Sequence, residues 1–215
     1  MGEIILVRHG QANSAATDEE SYDNLSDLGA QQGALLGAWF ANNGITFDRV
    51  LTGTLSRHKA TAQAMGQADV AEIDDRLNEM DYFNLGSALA HVKGMDEIAM
   101  QDFAAFAPQV MTAWHAAEIK GNETFAEFED RVTGVFDAAT EPGRRVLCVT
   151  SGGVIGMIMR RLLGLDPTRM AHVLLPIWNT SFHRINVMPH GTVLAGFNAI
   201  PHLEHPDKAS LRTHY

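Results

Sequence analysis

The sequence predicts an α/β domain: a three-layer α-β-α sandwich around a mostly parallel sheet, with a terminal hairpin and an inserted helical cap. Three observations carry this expectation. Short apolar runs such as Ile4 to Val7 and Val146 to Val149 have the pattern of strands covered on both faces. Segments with apolar residues at helical spacing alternate with them, and that alternation requires parallel strands joined by right-handed crossovers. The last part of the chain instead reads as two neighbouring strands, Ser181 to Met188 and Thr192 to Phe197, joined by Pro189-His190-Gly191.

Taken in order, the first strand ends at Arg8-His9-Gly10 and is followed by a polar run, Gln11 to Asp23, that has no apolar period and reads as a loop. Ser26 caps a helix with Leu28, Leu35, Leu36, Trp39 and Phe40 on one face, and Asn42-Asn43-Gly44 closes it. Phe47 to Thr52 is a second strand, and Gly53-Thr54-Leu55-Ser56 turns it into a helix that reaches Met65. Ala71-Glu72-Ile73 forms a short third strand, and Asp74 to Glu79 leads out of it as a loop.

Residues 80–120 form the expected cap, with Leu89, Val92, Met95, Ile98, Phe103, Phe106, Val110 and Trp114 as its apolar positions and its methionines as gap fillers. Thr124 and Glu127 make a capping box, after which Phe125, Phe128, Val132, Val135 and Phe136 follow at helical period. Arg145 to Thr150 then repeats the opening pattern, with Ser151-Gly152-Gly153 leading into a helix from Val154 to Leu163. The polar tail from Pro201 is expected to wrap over the surface. Nothing splits the chain, so residues 1–215 are read as one domain.

Bulk composition narrows the function. The formal net charge of −10 argues against a nucleic-acid surface, since phosphate backbones reward basic patches. No stretch approaches the roughly 20 apolar residues of a membrane span, and the first strand begins without a basic or long apolar leader, so the expectation is a cytoplasmic protein with no membrane partner. Cys148 is the single cysteine and sits in an apolar run, which suits a buried thiol in a reducing compartment.

Three strand ends, Arg8-His9-Gly10, Thr52 with Arg57 close behind, and Ser151-Gly152-Gly153, meet at the sheet's carboxyl edge, where open α/β folds bind ligands. Arg8 and Arg57 would aim two guanidinium forks at one tetrahedral oxyanion. Flanking cations favour a neutral imidazole, which makes His9 the candidate nucleophile. Glu79 is the candidate acid for the leaving oxygen, with Asp81 behind it. Ser151 and Gly152 would face the anion from a helix start, and Gln11 and Asn13 could donate to phosphate or substrate. His58 reads as a surface histidine, as do His172, His183, His190 and His214. Asn198 and His202 belong to the pocket mouth or to capping, and His202 with His205 lacks the third ligand of a metal site.

These residues resemble the histidine phosphatase superfamily, with its phosphoglycerate mutase-like fold, along nearly the whole chain. The resemblance rests on Arg8-His9-Gly10, on Thr52 to Ala62 with its Arg57, on Leu77-Asn78-Glu79, on Asn122-Glu123-Thr124 with Arg131, and on Asn179-Thr180-Ser181. It implies a cofactor-independent phosphatase that hydrolyses a small phosphoric monoester through a phosphohistidine on His9. One departure stands out: most of the family reads Ser-His-Gly-Gly where this chain has Thr150-Ser151-Gly152-Gly153. The resemblance leaves open a mutase-like phosphotransferase, a protein phosphohistidine phosphatase and a catalytically weak phosphate-binding protein. A homodimer is also left open.

Overall fold

The computed structural model describes residues 1–13, 16, 18–95 and 103–214; Ile98 lies outside them. Six strands form one sheet in the order β3-β2-β4-β1-β5-β6, namely β1 (Gly2–Arg8), β2 (Arg49–Thr52), β3 (Ala71–Ile73), β4 (Arg145–Thr150), β5 (Phe182–Met188) and β6 (Gly191–Ala199). The first four are parallel, while β5 runs antiparallel to β1 and β6 antiparallel to β5. Register aligns Arg8 with Thr150 and Thr52 with Val149, so the ends of β1, β2 and β4 lie side by side.

Side-chain alternation along β1 explains the three layers. Ile4 and Leu6 join one core with Leu51, Val146 and Cys148, under helices α4 (Tyr82–Lys93), α5 (Phe103–His115), α6 (Phe125–Ala139), α7 (Gly152–Leu163) and α8 (Pro167–Leu174). Ile5 and Val7 join the opposite core with Val50, Leu147 and Val149, under α2 (Asp27–Asn42) and α3 (Ser56–Ala64). Cys148, in the first of these cores, is buried as a free thiol, and burial pushes its pKa up to about 12.

Local signals act as the sequence suggests at most ends. The Ser26 hydroxyl accepts from the Gly29 amide at 3.0 Å, and α2 ends at Asn43 with Gly44 at φ +65°. The Thr124–Glu127 capping box is complete, and all five apolar positions assigned to α6 are buried. In the cap, Leu89, Phe106, Val110 and Trp114 are buried, but Val92 is exposed because it falls on the outer face of α4. Met80, Met111, Met157, Met159 and Met170 fill the core.

Several elements differ from expectation. The polar loop contains a one-turn helix, α1 (Glu19–Tyr22), capped by Asp18. Helix α8 was not expected, although its signal is present: Asp166 caps it and Pro167 occupies its first turn. The second strand starts at Arg49 rather than Phe47, and β6 extends from Gly191 to Ala199. The tail does not merely cover the surface. Gln32 Nε2 donates to the Leu211 carbonyl at 2.6 Å, and the Asn179 amide donates to the Thr213 carbonyl at 2.8 Å, which ties the last residues behind the end of β1. No helix among the described residues is long and apolar enough to cross a membrane.

Candidate active site

The backbone at the end of β1 is held on every side. The His9 amide donates to the Thr150 carbonyl at 2.9 Å, the Asn179 side chain donates to the His9 carbonyl at 3.1 Å, and the Gly10 amide donates to Thr61 Oγ1 at 3.0 Å. Gly10 has no positive φ; its role is space. A Cβ there would lie 2.4 Å from the Gly29 carbonyl oxygen, so the start of α2 can press against this loop only because Gly10 lacks a side chain. Thr180, at φ +55°, turns its amide back onto the Arg8 carbonyl, and its hydroxyl pairs with His202 at 2.9 Å.

The His9 ring is buried, and its Nδ1 lies 2.7 Å from the Gly10 carbonyl, which can only accept. The proton therefore sits on Nδ1 and the lone pair on Nε2, the tautomer a nucleophile needs. Burial, then Arg57, Arg8 and His58, hold this imidazole well below its ordinary pKa, against the opposing Gly10 hydrogen bond. It is neutral near pH 7.

Arg8 and Arg57 flank this ring. Arg8 Nη1 donates to the carbonyls of Ile177 and His214, while Arg57, fully buried on α3, pairs with Asp23 Oδ1 at 3.1 Å and Glu19 Oε1 at 2.7 Å and stacks on Tyr22. The Nε atoms of both arginines are buried with no hydrogen-bond partner among the described residues. Two buried cationic donors left unsatisfied are costly in a protein interior, and such a pair can receive an anion. Glu19 itself is pushed up by burial, against the pull of Arg57.

Glu79 faces the same space. Its Oε2 accepts from the Gly153 amide at 3.1 Å and its Oε1 from the Met80 amide at 3.0 Å. Arg131 fixes the loop behind it, pairing bidentately with Glu123 and donating to the carbonyls of Arg76, Asn78 and Glu79. A Cβ on Gly153 would sit 2.2 Å from Glu79 Oε1. Gly153→Ala is therefore expected to displace this carboxylate and to lower kcat roughly 10²-fold, the cost of a misplacement of about 1 Å. Steady-state kinetics beside a thermal melt check this; an unchanged kcat would show that the position of Glu79 does not matter.

Arg8, Glu79 and Gly152 belong to a cavity of about 230 Å³ whose walls carry Tyr22, Tyr82 and Phe83. Phe103 and Leu174 extend the apolar wall, and His214, expected at the surface, also lines it. The structure thus brings Arg8, Glu79 and Gly152 to the cavity wall and holds His9, Arg57 and Ser151 buried beside them. It does not bring Gln11 or Asn13 there. Gln11 Oε1 accepts from Ser26 Oγ at 2.8 Å, and Asn13 is exposed with Nδ2 donating to the Ser21 carbonyl, so both serve the loop instead. Asp81 is likewise structural, accepting from the Asn122 amide.

Three histidines correct the surface assignments. His58 is fully buried, its ring centroid 5.7 Å from that of His9, and its Nε2 lies 2.6 Å from Ser151 Oγ. His183 is buried in β5, with Nδ1 accepting from the Asn198 amide, and His214 reaches the cavity as described. Asn198 also accepts from the Trp178 amide, which makes it a clamp on the segment behind Arg8. His172 and His190 are exposed. His202 turns inward to Thr180 while His205 is exposed beside Asp207, and no group of three or more metal-ligating side chains converges among the described residues.

Comparison with known proteins bears on family and fold. The family model for the histidine phosphatase superfamily (branch 1) matches residues 4–200. The sequence is 25% identical over 218 residues to the probable phosphoglycerate mutase GpmB of Yersinia enterocolitica, spanning 96% of this chain and 97% of that one. Over 93 residues, 39% of this chain and 44% of the relative, it is 38% identical to a 2,3-bisphosphoglycerate-dependent phosphoglycerate mutase of Sinorhizobium fredii. YhfR of Bacillus stearothermophilus superposes with a TM-score of 0.70 at 21% identity, covering 94% of this chain and 99% of its own. A mutant phosphoserine phosphatase of Entamoeba histolytica in complex with phosphoserine gives 0.69 at 20% identity, covering 94% and 100%. At such identities the structural likeness bears on the fold. The match over residues 4–200, joined to the site at the end of β1, shows that this chain belongs to the histidine phosphatase superfamily, branch 1.

Proposed function

We propose that the protein hydrolyses a small phosphoric monoester through a phosphohistidine on His9. The observation that carries this reading is a buried neutral imidazole, its Nε2 unprotonated, set between two guanidinium groups whose Nε–H donors have no partner among the described residues. Arg8, Arg57 and the amide end of α7 hold the phosphoryl oxygens, with Ser151 and Gly152 at that end. His9 Nε2 forms the N–P bond as the P–O bond to the alcohol breaks, and Glu79 in its acid form gives the leaving oxygen a proton. Water then attacks phosphorus and loses a proton to the Glu79 carboxylate, the N–P bond breaks, and inorganic phosphate leaves. No cofactor enters these steps.

The cavity wall bears on what the alcohol is. Tyr22, Tyr82, Phe83 and Phe103 offer aromatic surface, and Glu19 and Glu79 add carboxylates. Apart from the imidazole of His214, Arg8 is the only basic side chain among the described lining residues. A phosphoglycerate would bring a carboxylate to a wall whose described residues offer no arginine or lysine beyond the phosphoryl-binding Arg8. An uncharged, partly apolar alcohol fits better, and the names of the mutase relatives are the only support for the mutase reading.

The test is rapid quenching with radiolabelled aryl phosphate, followed by a panel of monoesters. Acid-labile, alkali-stable label on a histidine, with net release of phosphate to water, is the expected result. Faster transfer between phosphoglycerates than to water would make it a mutase, and turnover confined to phosphohistidine proteins would make it a protein phosphatase. Phosphate binding with neither label nor turnover would make it a binding protein.

A further inference from the structure

We propose that His58 is a positioning residue of the phosphoryl site: entering from the first turn of α3, it holds the Ser151 hydroxyl so that its proton points at a phosphoryl oxygen. The inference rests on the reading of this cavity as a phosphoryl site, and it goes beyond that reading by giving a buried histidine outside the strand ends a part in the chemistry.

Four observations converge. The His58 side chain is fully buried beside His9, where a hydrocarbon of similar volume would pack without needing hydrogen bonds. Its Nε2 is 2.6 Å from Ser151 Oγ. Ser151 stands at the N-cap of α7, yet its hydroxyl makes no capping hydrogen bond to its own helix, forgoing the usual use of serine at that position. Space for the ring is kept by Gly53, where a Cβ would lie 2.2 Å from His58 Nδ1. A ring kept only for packing would not need a glycine to admit it and a serine diverted from its cap to meet it.

The donor pattern follows from which nitrogen has an acceptor. His58 Nδ1 is buried with no partner among the described residues, so a proton there would be an unsatisfied donor, whereas a proton on Nε2 finds the Ser151 oxygen. With Nε2–H donating to Oγ, the serine proton is free to donate onward. The chain His58 Nε2–H to Ser151 O–H to phosphoryl oxygen delivers a neutral donor at the amide end of α7, and a hydroxyl polarised by a donor behind it binds a developing negative charge more strongly than an isolated one. Burial and then Arg57 hold the imidazole well below its ordinary pKa, which keeps it neutral while it does so.

The experiment compares His58→Ala, His58→Gln, Ser151→Ala and the double variant His58→Ala/Ser151→Ala, measuring kcat, the inhibition constant of inorganic phosphate and the thermal midpoint on an aryl phosphate. His58→Ala and Ser151→Ala are each expected to lower kcat roughly 10²-fold and to weaken inhibition by phosphate. Glutamine can place an N–H where Nε2 lies, so His58→Gln should stay within about tenfold of the wild type. Because the two residues act as one unit, the double variant should be no worse than the poorer single variant. A folded His58→Ala protein with kcat and phosphate inhibition within twofold of wild type would overturn the proposal. Should His58→Ala not fold, Ser151→Ala with unchanged kcat would do the same. If the wild type neither turned over an aryl phosphate nor bound phosphate, the reading of the cavity itself would fail, which is a separate outcome.

Discussion

His9→Ala is expected to abolish the proposed turnover, lowering kcat/KM by at least about 10⁴-fold, because it removes the Nε2 lone pair on which the proposed phosphoenzyme forms. Among the described residues, His58 is the one other imidazole in ring contact with His9, and its Nε2 is committed to Ser151. Binding should survive where chemistry does not. Arg8 and Arg57 keep in the variant the Nε donors that no described residue satisfies, and the amide end of α7 is untouched, so inorganic phosphate should bind His9→Ala within a fewfold of its wild-type affinity. Loss of both turnover and phosphate binding would point to a collapsed pocket instead of a missing nucleophile. Retained turnover would remove His9 from the mechanism.

The second large effect is on stability in acid. Burial, with Arg8 nearby, pushes His183 down to about 3, and burial, with Lys208 nearby, pushes His202 down to about 4. Both therefore stay unprotonated in the folded protein at pH 5, while in the unfolded chain they take up protons below about 6.5. The unfolded state binds more protons, so stability rises with pH and is lost as pH falls from about 7.5 toward 4. These two residues alone remove about 4 kcal/mol between pH 7.5 and 5. His9 and His58, also shifted down, act in the same direction, and Glu19, shifted up, opposes them with one group. Urea midpoints at pH 7.5, 6 and 5 read the effect; a change below about 1 kcal/mol would mean that these imidazoles become protonated without unfolding.

The strand ends were legible because the chemistry changes over a single residue while burial continues. Val7 is buried and apolar, Arg8 and His9 are buried and polar, and the same break recurs at Thr52 and Thr150. The parallel core and the antiparallel finish follow from spacing alone. His58 was not legible: adjacent residues on a helix point about 100° apart, so a histidine next to Arg57 reads as facing away. Helix α3, however, starts at Ser56, so both residues lie in its first turn, and both are fully buried. Gln11 misled for the opposite reason. It is two residues from His9 in sequence, but its side chain turns to Ser26. One turn at Glu19–Tyr22 is too short to show a period, although it supplies the carboxylate on Arg57, and the missed α8 had its Asp166-Pro167 signal in plain view.

The strap behind β1 has a consequence in time. Arg8 and His214 are separated by 206 positions and share a hydrogen bond, and Asn179 is joined to Thr213 on the same seam. Contacts between such distant positions close the largest loops in the chain and reward their entropy last. The sheet and both helical layers can therefore form while Arg8 still lacks one of its two backbone acceptors. Acquiring the fold and fixing Arg8 are separable events, with the second waiting on Thr213 and His214.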